Sequence, residues 1–197
     1  PDSFFDGGRD ATAGQHHCDA LLREGADILD IGGESTRPGA SRPSPAEERA
    51  RVLPVVRHAC SLGVPVSVDT SEPEVIDAAL EAGADIVNDV RALSRPGALE
   101  RVARHTSAGV CVMHMQGEPG TMQAAPAYGD VVREVAEFLA GRAAVLERAG
   151  VARERIVVDP GIGFGKTVEH NLALLARQRE LLAEWAQQRE WIGRSEG

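Results

Sequence analysis

Residues 157–167 read Val-Val-Asp-Pro-Gly-Ile-Gly-Phe-Gly-Lys-Thr. The β-branched run from Ile156 to Val158 has the composition of a short buried strand, and it ends in a carboxylate, Asp159. Pro160 stops the strand, because it has no backbone N–H to donate. Gly161, Gly163 and Gly165 then surround one aromatic, Phe164, ahead of Lys166. Glycines let a backbone approach a ligand closely or adopt positive φ. A phosphate-binding P-loop fails on count: it needs four residues between its first glycine and the Gly-Lys pair, and only three separate Gly161 from Gly165. Taken alone, the stretch is a tight strand-to-helix turn ending in a solvated lysine.

The pattern recurs along the chain, and the recurrence decides the fold. Ile28-Leu29-Asp30, Val66-Ser67-Val68-Asp69, Ile86-Val87-Asn88 and Val110-Cys111-Val112-Met113-His114 are also short apolar runs with a polar, functional-type side chain at the end. Helix-sized segments separate them, which predicts parallel β/α architecture. In a parallel α/β barrel all such strand ends meet on one face, where active sites are built. Asp30, Asp69, Asn88, His114 and Asp159 are therefore expected to converge.

Composition narrows the function. With 197 residues the chain can bury one substantial core. A net charge of −9 and only 4% aromatic residues disfavour nucleic acid and anionic membranes as partners. No apolar run reaches the ~18 residues of a membrane span, and no secretory signal is present. Cys18, Cys60 and Cys111 are far apart and read as reduced thiols, which fits a cytoplasmic protein.

Local signals place the helices. A helix is expected from about Asp10 to Glu24, with His16 and His17 about 100° apart on it and so unsuited to sharing a metal. Ser44-Pro45-Ala46-Glu47 is a capping box with proline at the first helical position. Ser71-Glu72-Pro73-Glu74 has the same form and predicts a second one. Asp130 is placed to cap a long amphipathic helix with Val131, Val135, Phe138, Leu139 and Leu146 on one side. Residues 168 to about 191 read as one more helix. Between strands, residues 32–39 (Gly-Gly-Glu-Ser-Thr-Arg-Pro-Gly) put an arginine just beyond a strand tip, where its planar fork suits a phosphate-rich ligand or simply an exposed turn.

Six motifs, in order, resemble dihydropteroate synthase: PDSFFDGG from Pro1, DIGGESTRPGA from Asp30, VDTSEPEVI from Val68, NDVRAL from Asn88, VMHMQGEP from Val112 and DPGIGFGK from Asp159. The resemblance covers Pro1 to about Arg177; residues 178–197 do not resemble the family. It implies one pterin-binding domain over residues 1–197, a TIM (β/α)8 barrel of which about five strands, the family's second to sixth, lie in this chain. The implied reaction condenses 7,8-dihydropterin-6-ylmethyl diphosphate with p-aminobenzoate, releasing diphosphate with the help of Mg²⁺. By the family pattern, Asp159, Asn88 and Asp69 bind the pterin, with Asp69 and Asp159 as the catalytic carboxylates. Thr36 and Arg37 contact the diphosphate, and Phe4, Pro38 and Phe164 form the p-aminobenzoate pocket. The family is a homodimer.

The chain also departs from the family pattern. The asparagine that helps hold Mg²⁺ would precede Pro1, so no metal ligand is assigned within these residues. The family's later Ser-Arg-Lys and Arg-x-His motifs have no counterpart, and Lys166 is no substitute because it lies on a different loop. Two alternatives follow: a catalytically inactive fragment of the synthase, or a pterin-dependent corrinoid methyltransferase, which the Ser-Thr-Arg-Pro-Gly and Gly-Phe-Gly-Lys loops disfavour.

Overall fold

The computed structural model describes residues 10–35 and 42–195, with side chains to residue 187. Five strands form one sheet: β1 (Leu29–Gly32), β2 (Val66–Asp69), β3 (Ile86–Asp89), β4 (Gly109–Met113) and β5 (Ile156–Asp159). Every neighbouring pair is parallel, and the spatial order is the sequence order. That order is the arc of a β/α barrel; a doubly wound sheet would reverse direction at a switch point. The crossovers are α2 (Pro45–Cys60), α3 (Pro73–Glu81), α4 (Ala98–Arg104) and α5 (Val131–Arg148), while α1 (Ala11–Arg23) precedes β1.

The sheet's two faces differ because side chains alternate along a strand. Leu29, Ile31, Val66, Val68, Val87, Val110 and Val112 point towards the helices and join Val52, Val56, Val75, Ile76, Val102 and Leu146 in the main core. Burying each such side chain is worth roughly 1.5–3 kcal/mol relative to leaving it in water. The other parity gives Asp30, Ser67, Asp69, Asn88, Cys111, Met113, Val157 and Asp159. On that second face the edge-strand residues Ile28 and Val157 are 51% and 60% exposed.

Capping follows the sequence at three places. Asp10 accepts from the Ala13 N–H, Ser44 and Glu47 form the reciprocal box, and Asp130 accepts from the Val132 and Arg133 N–H groups. The second expected box does not form. Glu72 is the N-cap of α3 and its side chain caps nothing. Ser71 instead donates its hydroxyl to the buried Asp89 carboxylate, and Glu72 pairs with Arg42 and Arg95. In both cases a side-chain partner brought in by the tertiary fold takes the place of a backbone N–H.

The single helix expected after residue 167 is two, α6 (Val168–Ala176) and α7 (Gln178–Ser195), broken at Arg177. At Arg177 the backbone departs from helical geometry, with φ −103° and ψ 28°, while its side chain donates to both oxygens of Asp130, the cap of α5, and to Glu180. The break lets α7 run along α5, where Leu181 and Trp185 join Val131, Val132, Val135, Ala136, Leu139 and Leu174 in a second apolar cluster.

Candidate active site

The strand ends bring four of the five expected side chains to one face. Asp69 is in register with Gly32 on one side and Asn88 on the other. The Asn88 amide donates to Asp30 at 3.3 Å. Cys111 is next in register to Asn88, and Asp159 stands opposite Met113. The adjoining strands thus form a row of carboxylates with one amide and one thiol among them.

The carboxylates act on one another. Burial pushes the Asp69 carboxyl up to about 8, and Asp30, Asp89, Glu34 and Glu48 add to the shift. Asp69 therefore holds its proton at neutral pH and can donate as well as accept a hydrogen bond. The Cys111 thiol rises to about 11, through burial first and then Asp159, Asp30 and Asp69, so it is not a nucleophile. Asp159 accepts from the Gly161 N–H at 2.7 Å, which fixes one carboxylate oxygen beside the glycine-rich loop.

His114 does not join the row. It lies one residue beyond β4 and so has the opposite parity to Met113, which shares a tier with Asp159. Its ring packs edge-on against Phe138 of α5, with centroids 4.9 Å apart, and is tilted against Tyr128. The amphipathic stripe expected on α5 thus spends its phenylalanine on His114.

Lys166 is not solvated. It is 3% exposed, and its ammonium lies 2.9 Å from the carbonyl oxygens of Gly161 and Phe164, 3.2 Å from that of His114 and 3.0 Å from the His114 ring nitrogen Nδ1. Burial pushes its pKa down to about 8, against the nearby Asp159 charge. His114 is pushed down to about 4, by burial and then by Lys166, so its Nδ1 is free to accept. Two glycines make this packing possible. Gly161 and Gly165 have φ of 66° and 60°, and a Cβ at either would collide with the backbone of His114 or Gln116.

A second set of ties crosses the rim between loops. Arg91, 9% exposed, donates to both oxygens of Glu34, to Glu118 and to the Ser71 hydroxyl. Burial opposes its charge, yet the bonds to Glu34 and Glu118 raise its pKa overall. Asp89, buried on the helix side, receives Ser71 and the N–H groups of Arg91 and Leu93. Glu48 of α2 is fully buried beneath Gly33, with one oxygen accepting from Thr70 and the other without a hydrogen bond. These residues escaped the sequence reading, although Arg91, Glu34, Ser71 and Glu118 all lie inside the quoted motifs. Spacing cannot say which loop residues turn inward.

Of the other expected site residues, Phe4, Thr36, Arg37 and Pro38 lie outside the described residues. Phe164 is half-buried at the turn of the glycine-rich loop, and its N–H is bonded to the Gly161 carbonyl. Among the described residues, no group of three or more His, Cys, Asp or Glu side chains is placed to hold a metal ion, and no helix is long and apolar enough to cross a membrane.

A partial β/α barrel with a row of carboxylates and an amide at its strand ends has its polar groups on the face where barrel enzymes build their active sites. The family profile described as pterin binding enzyme matches residues 1–189, and the chain belongs to that family. Within it, the particular likeness is to dihydropteroate synthase. The chain is 52% identical over 188 residues to the enzyme of Neisseria meningitidis serogroup C, covering 93% of this chain and 66% of that protein. It thus spans just under two thirds of that relative's length. A Yersinia pestis dihydropteroate synthase solved in a sulfonamide drug complex superposes with a TM-score of 0.88 at 44% identity, over 92% of this chain and 66% of that one. The Burkholderia cenocepacia enzyme solved with 7,8-dihydropteroate gives 0.82 at 51% identity, over 88% and 62%.

Proposed function

We propose that this chain provides the pterin-binding part of a dihydropteroate synthase, which joins 7,8-dihydropterin-6-ylmethyl diphosphate to p-aminobenzoate and releases diphosphate. The observation that carries the reading is the shared face of Asp69, Asn88 and Asp159 in a chain 52% identical to such an enzyme. A pterin ring presents alternating donors and acceptors along its edges. A protonated Asp69, the Asp159 carboxyl group and the Asn88 amide offer the complementary set. In this reading, Asp159 takes the donor-rich edge, and Asp69 and Asn88 take other ring positions.

The chemistry asked of these residues is modest. Diphosphate leaves first, and the cation left on the pterin is stabilised by ring delocalisation and by the carboxylates around it. The p-aminobenzoate amine is neutral at pH 7 and attacks without a strong general base. Thr36 and Arg37 serve the diphosphate, and Phe4, Pro38 and Phe164 hold the p-aminobenzoate ring. Bound Mg²⁺ would offset charge on the departing diphosphate. The described residues offer no cluster suited to hold it. A cytoplasmic location, in keeping with three cysteines that form no disulfide among the described residues, and a homodimer complete the reading.

The test is calorimetry with pterin diphosphate on the chain and on Asp159→Ala. Loss of this hydrogen-bond partner should cost roughly 1–3 kcal/mol of binding. Equal affinity for the two proteins would remove Asp159 from the site and the reading with it.

A further inference from the structure

We propose that Lys166 is a positioning residue that sets both substrate-binding ends of the glycine-rich loop at once. The inference rests on the proposed function for what the loop binds. The geometry beneath it is independent of that.

Lys166 reaches back across its own loop rather than out to solvent. An ammonium has three N–H donors. Here four acceptors lie within 3.2 Å: the carbonyls of Gly161, Phe164 and His114, and Nδ1 of His114. Two of those carbonyls belong to the loop that follows β5, and the other two acceptors belong to the residue that follows β4. The cation therefore pins one loop to the neighbouring strand. Each of the two loop carbonyls also has a counterpart in the site. The peptide unit of Gly161 whose N–H binds the Asp159 carboxylate precedes the carbonyl that Lys166 holds. The other carbonyl is that of Phe164, and the Phe164 N–H closes the same turn onto Gly161.

Among the described residues no carboxylate forms an ion pair with the ammonium; its charge is held by backbone dipoles and the His114 imidazole, with the Asp159 charge favouring it from farther off. A neutral side chain of the same length could fill the space. It could not hold three backbone carbonyls in one place, and the loop's glycines give little stiffness of their own. The His114 ring is in turn braced by Phe138 and Tyr128, so the loop is referenced to the main body of the barrel.

The experiment compares the wild-type chain, Lys166→Met and a distant destabilising control, Val102→Ala, in the core beneath α4. Pterin diphosphate affinity is measured by calorimetry, p-aminobenzoate is added to the complex, and thermal unfolding is recorded for each protein. Lys166→Met is expected to lose at least tenfold in pterin diphosphate affinity and to weaken p-aminobenzoate as well, while Val102→Ala loses thermal stability with ligand affinities unchanged. If Lys166→Met does not fold, Lys166→Gln, which keeps a donor, carries the same comparison. Wild-type affinities in either folded Lys166 variant overturn the proposal, as does a parallel loss in Val102→Ala. Failure of both Lys166 variants to fold also overturns it, since Lys166 would then serve the fold as a whole. Absence of pterin binding by the wild-type chain would instead count against the proposed function.

Discussion

Replacing Glu48 with glutamine should make the protein more stable at pH 8 and leave it nearly unchanged at pH 4.5. Glu48 is fully buried on α2, with one oxygen bonded to Thr70 and the other without a partner. Burial, with smaller additions from Glu34 and Glu72, lifts its carboxyl from 4.5 to about 7. A raised carboxyl pKa means that the folded state binds the proton more tightly than the unfolded chain. The resulting stability is fully present below pH 4.5 and is lost as pH rises towards 7 and beyond. The change from 4.5 to about 7 corresponds to about 3 kcal/mol across that window. Glutamine keeps the acceptor for Thr70 and carries no charge, so it escapes the loss. Asp69 contributes a pH dependence of its own, and comparing the two proteins at each pH cancels it. The assay is urea denaturation of wild type and Glu48→Gln at pH 4.5, 6 and 8. The difference should grow by about 3 kcal/mol from the first pH to the last. A constant difference would refute the claim that Glu48 is held protonated by its burial.

Gly161→Ala should destabilise the fold by at least about 1–3 kcal/mol, because the residue sits at positive φ and its Cβ would meet the His114 carbonyl; chemical denaturation reads it. Arg91→Met removes the partner of the nearly buried Glu34 and should cost about 3–5 kcal/mol, again by denaturation. Lys166, with its pKa lowered to about 8, should make stability rise between about pH 8 and its ordinary 10.5, since the unfolded chain alone is protonated there. That rise should vanish in Lys166→Met.

The sequence carried the fold further than the site. Each strand was visible as a short β-branched run, and each of β1 to β5 was found where expected because burial on the helix side leaves only apolar residues there. Ser44 and Asp130 announced their helices because each keeps the backbone N–H partners its local pattern supplies, Asp130 even while it also receives Arg177. Ser71 has the same local pattern and caps nothing, since Asp89 arrives from another strand. His114 was misplaced by one residue: the alternation carries on past Met113 and turns His114 to the opposite face, and a polar residue at a strand's end can sit at either parity. Lys166 was read as solvated because its partners are backbone carbonyls, which leave no mark in composition. The break at Arg177 depends on Asp130, 47 residues earlier, and a helix-length reading cannot register so distant a partner.

The Arg91 ties have a consequence for anyone who would rebuild this barrel by transplanting loops. Arg91 stands after β3, Glu34 after β1 and Glu118 after β4, with Ser71 after β2. Four successive crossovers thus share one guanidinium. A loop grafted singly from a distant relative would strand a charge on one of the others. The rim has to be exchanged as a cassette, with the arginine and both glutamates from the same donor.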